Sequence, residues 1–227
     1  MRRYGWKEIA DKYKDKHIAI IGNGPSVARS DGQGGVTWAK DFRGYPHPIW
    51  AVNGGWLRHP GQCQLGFVMD DPTLRKYQDI SPWNKEYHNK LKKVEIPIFA
   101  TRRIRSFPSF IEFPLQEVVE KFNDVYFGET VHYMIAFALM IGVKEIDLFG
   151  CDYKGARTKL QHERAGTEYW LGIAKGAGIK VNLDLQETTL CTYVPKEEYA
   201  EVAVNDFYGY VKEYFPLMTE KEKNATT

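Results

Sequence analysis

The sequence predicts a mostly parallel, three-layer α/β fold, with helices on both faces of the sheet and a small helical or lid portion closing one side. Three observations predict it. Short apolar runs that read as buried strands recur at 17–21, 48–52, 65–69, 95–100 and 145–149, separated by helical periods or by Gly and Pro punctuation. Several of these runs end directly in polar loops, and ligands of open α/β sheets gather at such strand ends. The 227 residues, 43% hydrophobic and 14% aromatic, suffice for one core-forming domain, and no internal repeat or linker divides them.

Residues 1–16 read as an amphipathic lead-in helix, followed by the strand His17–Ile21 and the turn Gly22-Asn23-Gly24-Pro25-Ser26. Ala28 to Pro48 is Gly and Pro rich, hence mostly loop, with room for a short helix around Val36 to Lys40. The strands before Asn53-Gly54-Gly55 and Asp70-Asp71-Pro72 come next. Ser81 to Lys93 is a polar helix candidate with Ser81 as cap and Pro82 at its first position. Glu95 to Ala100 is a strand whose proline marks an edge or its start. Thr101 to Phe113 shows no period and, with the residues to 128, reads as a lid. Thr130 to Ile141, capped by Thr130 and apolar on nearly all sides, is a central helix. Glu145 to Phe149 is the next strand and ends in Gly150-Cys151-Asp152-Tyr153. A helical period over 165–177 precedes a strand at 180–183. A C-terminal helical segment over 184–217 carries one apolar face from Tyr199 to Tyr214, and 218–227 is a tail.

Composition excludes several classes. Thirty-one Lys and Arg against 29 Asp and Glu give a net charge of +2, too balanced for a nucleic-acid coat or a polybasic membrane binder. The longest apolar run, Val131 to Val143, is too short to span a bilayer, so a cytoplasmic location is expected. Cys63, Cys151 and Cys191 are odd in number and widely spaced, which suits unpaired thiols. His17, His47, His59 and His88 form no metal-ligand spacing. Motifs for P-loop, dinucleotide, hydrolase-triad and zinc chemistry are absent.

Four loops carry candidate chemistry. In Gly22-Asn23-Gly24-Pro25-Ser26 the glycines permit a tight turn, and a helix starting near Ser26 would point N–H groups at an anion; a structural turn is the rival reading. Asn53 either marks a turn or reads a base or hydroxyl. Asp70 and Asp71 are either solvated turn acids or ligands of a cation beside a phosphate. Asp152 can fix a ligand hydroxyl or a loop, and His162, in a polar stretch before a helix, can accept a proton from an attacking hydroxyl. Arg157, Lys159 and Arg164 crowd that stretch and can neutralise a leaving phosphate. His132, on an apolar helix, reads as a packed, satisfied histidine. Trp56, Trp83 and Tyr87 read as exposed aromatics suited to a subunit interface or an acceptor groove.

AIIGNGPSV, AVNGG, FVMDDP and GETVHYMIAFALMIGVKEIDLFGCDY, in that order over residues 17–183, resemble the small bacterial sialyltransferases that use CMP-sialic acid. They also resemble a wider group of Rossmann-like proteins, some from phages and some related to archaeal pterin diphosphokinases. The resemblance implies a Rossmann-like nucleotide-binding domain over 17–183. It implies Asn23, Gly24 and Ser26 as nucleotide and phosphate contacts, Asn53 as a ribose or base contact, Thr130 as a donor-sugar contact, Asp152 as nucleotide-binding and His162 as general base. Those enzymes need no metal and carry asparagine where Asp70 or Asp71 stands here. They place two tyrosines on the leaving phosphate; Tyr153 is offset by one, and Lys154, Arg157 and Lys159 are cationic substitutes.

The expectation is therefore a glycosyltransferase that moves a nucleotide-activated sugar, CMP-linked if the sialyltransferase resemblance extends to the donor, to a hydroxyl of a glycan, protein or modified nucleic acid. It would need no cofactor and have His162 and Asp152 as catalytic pair, with Gly22, Pro25, Asp70 and Tyr153 added to the nucleotide contacts; a homo-oligomer is compatible. The rival readings are a magnesium-dependent diphosphokinase using Asp70 and Asp71, and a non-catalytic binding protein on the same scaffold.

Overall fold

The computed structural model describes residues 5–30, 36–38, 40–59, 61–73, 85–153, 158–183, 188 and 190. Seven strands form one sheet: β1 (His17–Ile21), β4 (Ile49–Val52), β5 (Cys63–Val68), β6 (Ile98–Ala100), β7 (Phe110–Glu112), β8 (Glu145–Phe149) and β9 (Lys180–Leu183). Their order is β7-β6-β5-β4-β1-β8-β9, and every neighbouring pair is parallel. The chain steps outward from β1 to β7, returns to lay β8 against the other side of β1, and adds β9 beyond β8. The direction of winding thus reverses between β1 and β8, which is the switch point where open α/β sheets bind ligands.

Side chains alternate across the sheet with a period of two, because successive Cβ atoms of a strand point to opposite faces. Ile18, Ile20, Trp50, Phe67 and Phe99 meet the helices α1 (Trp6–Tyr13), α4 (Leu115–Phe122), α5 (Thr130–Ile141) and α6 (Thr158–Gly176). Ala19, Ile21, Ile49, Ala51 and Ile98 meet α2 (Gly55–Arg58) and α3 (Lys85–Leu91). The protein is accordingly an α/β, Rossmann-like fold with helices on both faces. Phe99 and Phe137 approach to 4.7 Å between ring centroids at the centre of the larger core. Truncating such a ring to alanine costs about 3–5 kcal/mol.

α5 is buried on nearly all sides, as its composition predicts. Its first helical residue is Thr130, so the cap position falls to Glu129 rather than Thr130. The helix ends at Gly142, whose φ of 78° is left-handed, and Val143 N–H then donates back to the Ala138 carbonyl at 3.1 Å.

Several expectations are corrected. Val36 to Trp38 is not helical: it is β3, paired antiparallel with β2 (Ala28–Ser30). Thr101 to Phe113, read as aperiodic, holds β7, with Phe107, Phe110, Ile111 and Phe113 buried, and α4 follows it within the stretch read as a lid. Short elements and aromatics packed from an edge leave no periodic signal. β6 begins just after Pro97 and is flanked on both sides, so the proline marks a strand start and not an edge. Trp56 and Tyr87 are core residues on the α2–α3 face and not exposed aromatics. Cys63 and Cys151 are buried free thiols. Ser81, Pro82, Trp83, Cys191 and the C-terminal segment and tail lie outside the described residues. Among the described residues no helix is long and apolar enough to cross a membrane.

Candidate functional site

The loops after β1 and β8 are locked together at the switch point. Gly22 N–H donates to the Phe149 carbonyl at 2.8 Å, and Gly24 N–H to the Gly150 carbonyl at 2.7 Å. This approach requires glycine at both positions: a Cβ on Gly22 would lie 2.3 Å from the Gly150 oxygen, and one on Gly24 2.6 Å from both that oxygen and Asp152 Oδ2. Asp152 completes the junction. It is 3% exposed and accepts from the Ser26 backbone N–H at 2.7 Å and from its hydroxyl at 2.5 Å. Of the two roles open to Asp152, fixing a ligand hydroxyl or fixing a loop, these bonds supply the second.

No helix starts at Ser26. The chain turns over 25–27 and enters β2, and the Ser26 N–H is taken by Asp152, so this loop offers no helix N-terminus to an anion. The N-terminus that does open at the strand ends is that of α5.

Around this junction lies a cavity of about 810 Å³. Gly22, Asn23, Gly24 and Pro25 border it after β1, Asn53 after β4, Asp70 after β5, Thr130 at the start of α5, and Asp152 and Tyr153 after β8. Topology thus gathers at one wall four loops that lie far apart in the chain. Asn53 has a left-handed backbone, φ 48°, and its buried Oδ1 has no hydrogen-bond partner. A polar atom in that condition beside a cavity is open to a hydrogen bond from a ligand or a water held there.

Other expected residues stand elsewhere. Ser26 is behind the wall, engaged with Asp152. Asp71 is turned away: its Oδ1 accepts from the Thr73 N–H and hydroxyl at 2.8 and 2.6 Å, and its Oδ2 from Arg102 at 2.8 and 2.9 Å. The Asp70-Asp71 pair is therefore split, and only Asp70 reaches the cavity. His162 is exposed and lies within α6, not in a loop before it, because the helix begins seven residues earlier than its apolar period, at Thr158. Arg164 Nε pairs with Glu168 one helical turn on, at 2.9 Å. Lys154 and Arg157 lie outside the described residues, and Lys159 is in the first turn of α6.

The sequence reading missed Glu129, Tyr133 and Glu163, all of which border the cavity. Glu129 anchors a buried network. Its Oε1 accepts from the Tyr153 hydroxyl and from the Thr167 hydroxyl, the latter at 2.8 Å. His132, fully buried, accepts from Gly128 N–H at Nδ1, 2.9 Å, so its proton sits on Nε2 and is donated to the Glu163 carbonyl at 2.9 Å. His132 is thus the satisfied packed histidine expected of it. Burial, with the nearby Cys151 and Glu129, holds the Tyr153 hydroxyl far above its ordinary range, which keeps it a donor to Glu129. Burial, with Glu129 and Asp152 beside it, likewise keeps the Cys151 thiol protonated and unreactive. Tyr133 is raised by burial and by the charge of Asp70. A helix-capping glutamate and a glutamate in a polar helix carry no local signal that would have singled them out.

Comparison with solved structures finds low-identity similarities. The sialyltransferase CstII from Campylobacter jejuni in complex with the substrate analogue CMP-3FNeuAc is 19% identical, covering 79% of this chain and 84% of that one with a TM-score of 0.46. The same enzyme with cytidine-5'-monophosphate is 18% identical over 85% of this chain and 99% of that one, TM-score 0.49. No family model matches the chain. No curated protein matches it either.

Proposed function

We propose that the protein is a glycosyltransferase that binds a nucleotide-activated sugar in the switch-point cavity and transfers the sugar to a hydroxyl acceptor. The observation that carries this reading is the cavity itself: loops from four parallel strands and the α5 N-terminus converge on it, and Asn53, whose Oδ1 has no hydrogen-bond partner, borders it. In this reading Asn23, Gly24 and Asn53 contact the nucleotide and Thr130 the sugar, while Ser26 and Asp152 act by holding the loop that those contacts need. A CMP-linked donor is the first candidate, from the resemblance of GNGPS and GCDY.

Transfer forms a bond from the acceptor oxygen to the anomeric carbon and breaks the bond from that carbon to the phosphate oxygen. The nucleotide leaves with the electron pair. A base must take the acceptor proton, and we assign His162, exposed on α6 one residue before the cavity-lining Glu163. Among the described residues the cavity wall holds Asp70, Glu129, Asp152 and Glu163 but no lysine or arginine. Charge for the leaving phosphate is therefore assigned to Lys154, Arg157 and Lys159, which follow the GCDY loop.

The rival diphosphokinase reading needs a metal held between two acids, and Asp71 is committed to Thr73 and Arg102. The transferase reading is favoured for that reason. The experiment is a thermal-shift panel of CMP, CDP, UDP, GDP and ATP, each with and without magnesium. Stabilisation by CMP or a nucleoside diphosphate without metal supports the transferase and names the donor's base, whereas a shift with ATP and magnesium alone moves the assignment to phosphoryl transfer. With a donor in hand, His162→Ala should lower transfer by about 10²- to 10⁴-fold, the range of a general base. Full activity in that variant and loss in Glu163→Gln would transfer the role to Glu163.

A further inference from the structure

A second cluster of chemically active side chains lies away from the cavity, toward the N-terminal ends of β1, β8 and β9. Parallel register pairs His17 with Glu145, Glu145 with Lys180, and Asp147 with Asn182. The two-residue period then puts all five side chains on the α2–α3 face of the sheet. Sequence spacing hides this grouping, because His17 is separated from the two acids by most of the chain.

Each carboxylate has one oxygen tethered outward. Glu145 Oε1 accepts from Lys180 Nζ and from Asn182 Nδ2, both at 2.6 Å, and Asp147 Oδ1 accepts from Asn182 Nδ2 at 2.6 Å. The remaining oxygens face the imidazole: Glu145 Oε2 is 3.6 Å from His17 Nδ1, and Asp147 Oδ2 is 2.9 Å from Nε2. Tyr45 also donates to Asp147 Oδ2. Despite its short distance to Oδ2, the buried Nε2 is in hydrogen-bond geometry with no partner. The ring is held in place by His47, stacked on it at 3.6 Å between centroids.

An imidazole flanked by a carboxylate at each nitrogen is satisfied in one of two ways: by protonation, which makes both nitrogens donors, or by a cation held at the lone pair of the neutral ring. We propose that His17, Glu145 and Asp147 bind a divalent first-row transition ion, of which zinc suits the donor set best, and that the ion cross-links β1 to β8. One donor atom from each residue lies within 4.8 Å of the other two. Zinc takes such nitrogen and oxygen donors at about 2.0–2.2 Å, and its place is at the Nε2 edge that Asp147 Oδ2 already faces, with Glu145 turning in from the Nδ1 side. Lys180 and Asn182 orient the acids from outside, the arrangement that metal-ligating carboxylates share. The imidazole donor disfavours magnesium and calcium, which take oxygen ligands.

The test uses the full chain, stripped with chelator and dialysed, and titrated with zinc chloride by calorimetry and thermal shift. The expected result is one zinc per chain with a raised melting temperature, no shift with magnesium, and at least tenfold weaker zinc binding in both His17→Gln and Asp147→Asn. Cobalt added to the wild-type chain should give visible d–d absorption that zinc displaces. Failure to bind zinc, equal binding in a folded Asp147→Asn variant, or no cobalt absorption overturns the proposal. The site makes no use of the nucleotide cavity, so this result is independent of the nucleotide panel.

Discussion

Ser26 and Asp152 hold one another across the two loops that open the cavity, the backbone N–H on one carboxylate oxygen and the hydroxyl on the other, at 2.7 and 2.5 Å. The aspartate is buried, so neither bond is shared with bulk water. Ser26→Ala removes the hydroxyl bond alone and should cost about 1.5–3 kcal/mol, the range for a hydrogen bond to a charged group. Asp152→Ala should cost more, since it strands two donors, and should also abolish any nucleotide-induced melting shift. Urea unfolding of both variants measures the first effect.

Gly24 and Gly172 are predicted to respond in opposite ways to alanine. A Cβ at Gly24 meets a backbone oxygen at 2.6 Å that cannot move without parting the loops, whereas nothing lies within 4 Å of one at Gly172, inside α6. Gly24→Ala should lose about 1–3 kcal/mol through overpacking. Gly172→Ala should gain about 0.5–1 kcal/mol of helix stability. Equal melting temperatures for the two variants would contradict the close approach of the loops.

Gly166 owes its identity to His132, because a Cβ there would stand 2.2 Å from the His132 ring. Gly166→Ala should destabilise the protein by about 1–3 kcal/mol. Adding His132→Ala should recover part of that loss, giving a coupling energy of about 0.5–3 kcal/mol in a double-mutant cycle. Strict additivity would remove the contact as the cause.

Asp71 sets a small acid-side dependence. Burial pushes its carboxyl up, but hydrogen bonds from the Thr73 hydroxyl and N–H and from Arg102 more than offset this, leaving it below the ordinary aspartate value. A depressed folded value contributes stability above the unfolded carboxylate pKa of about 3.9, and that contribution is lost as pH falls through the folded value. Arg102 is more than half exposed, so the effect is under about 1 kcal/mol. Asp71→Asn should be less stable than wild type at pH 7 by that amount and converge with it by about pH 2. Chemical unfolding across this range measures the difference.

Local chemistry alone determined a good part of this protein. The apolar run of His17–Ile21 meeting Gly22-Asn23-Gly24-Pro25-Ser26, and the helix Thr130–Ile141 leading into Glu145–Phe149 and Asp152, are legible because strand, turn and buried helix each leave a pattern within a few neighbouring residues. The cavity's lining by Asn53 and Asp70 follows from the same rule, since each ends a parallel strand. Tertiary structure alone decided which partners those residues meet. It turned Asp71 to Arg102 and left Asp70 in the cavity, brought Glu129 onto Tyr153 and Thr167, gave Asp152 to Ser26, and set His17 between Glu145 and Asp147. Each of these depends on strand order and register, which are properties of pairings between distant segments and are written in no single window of the chain.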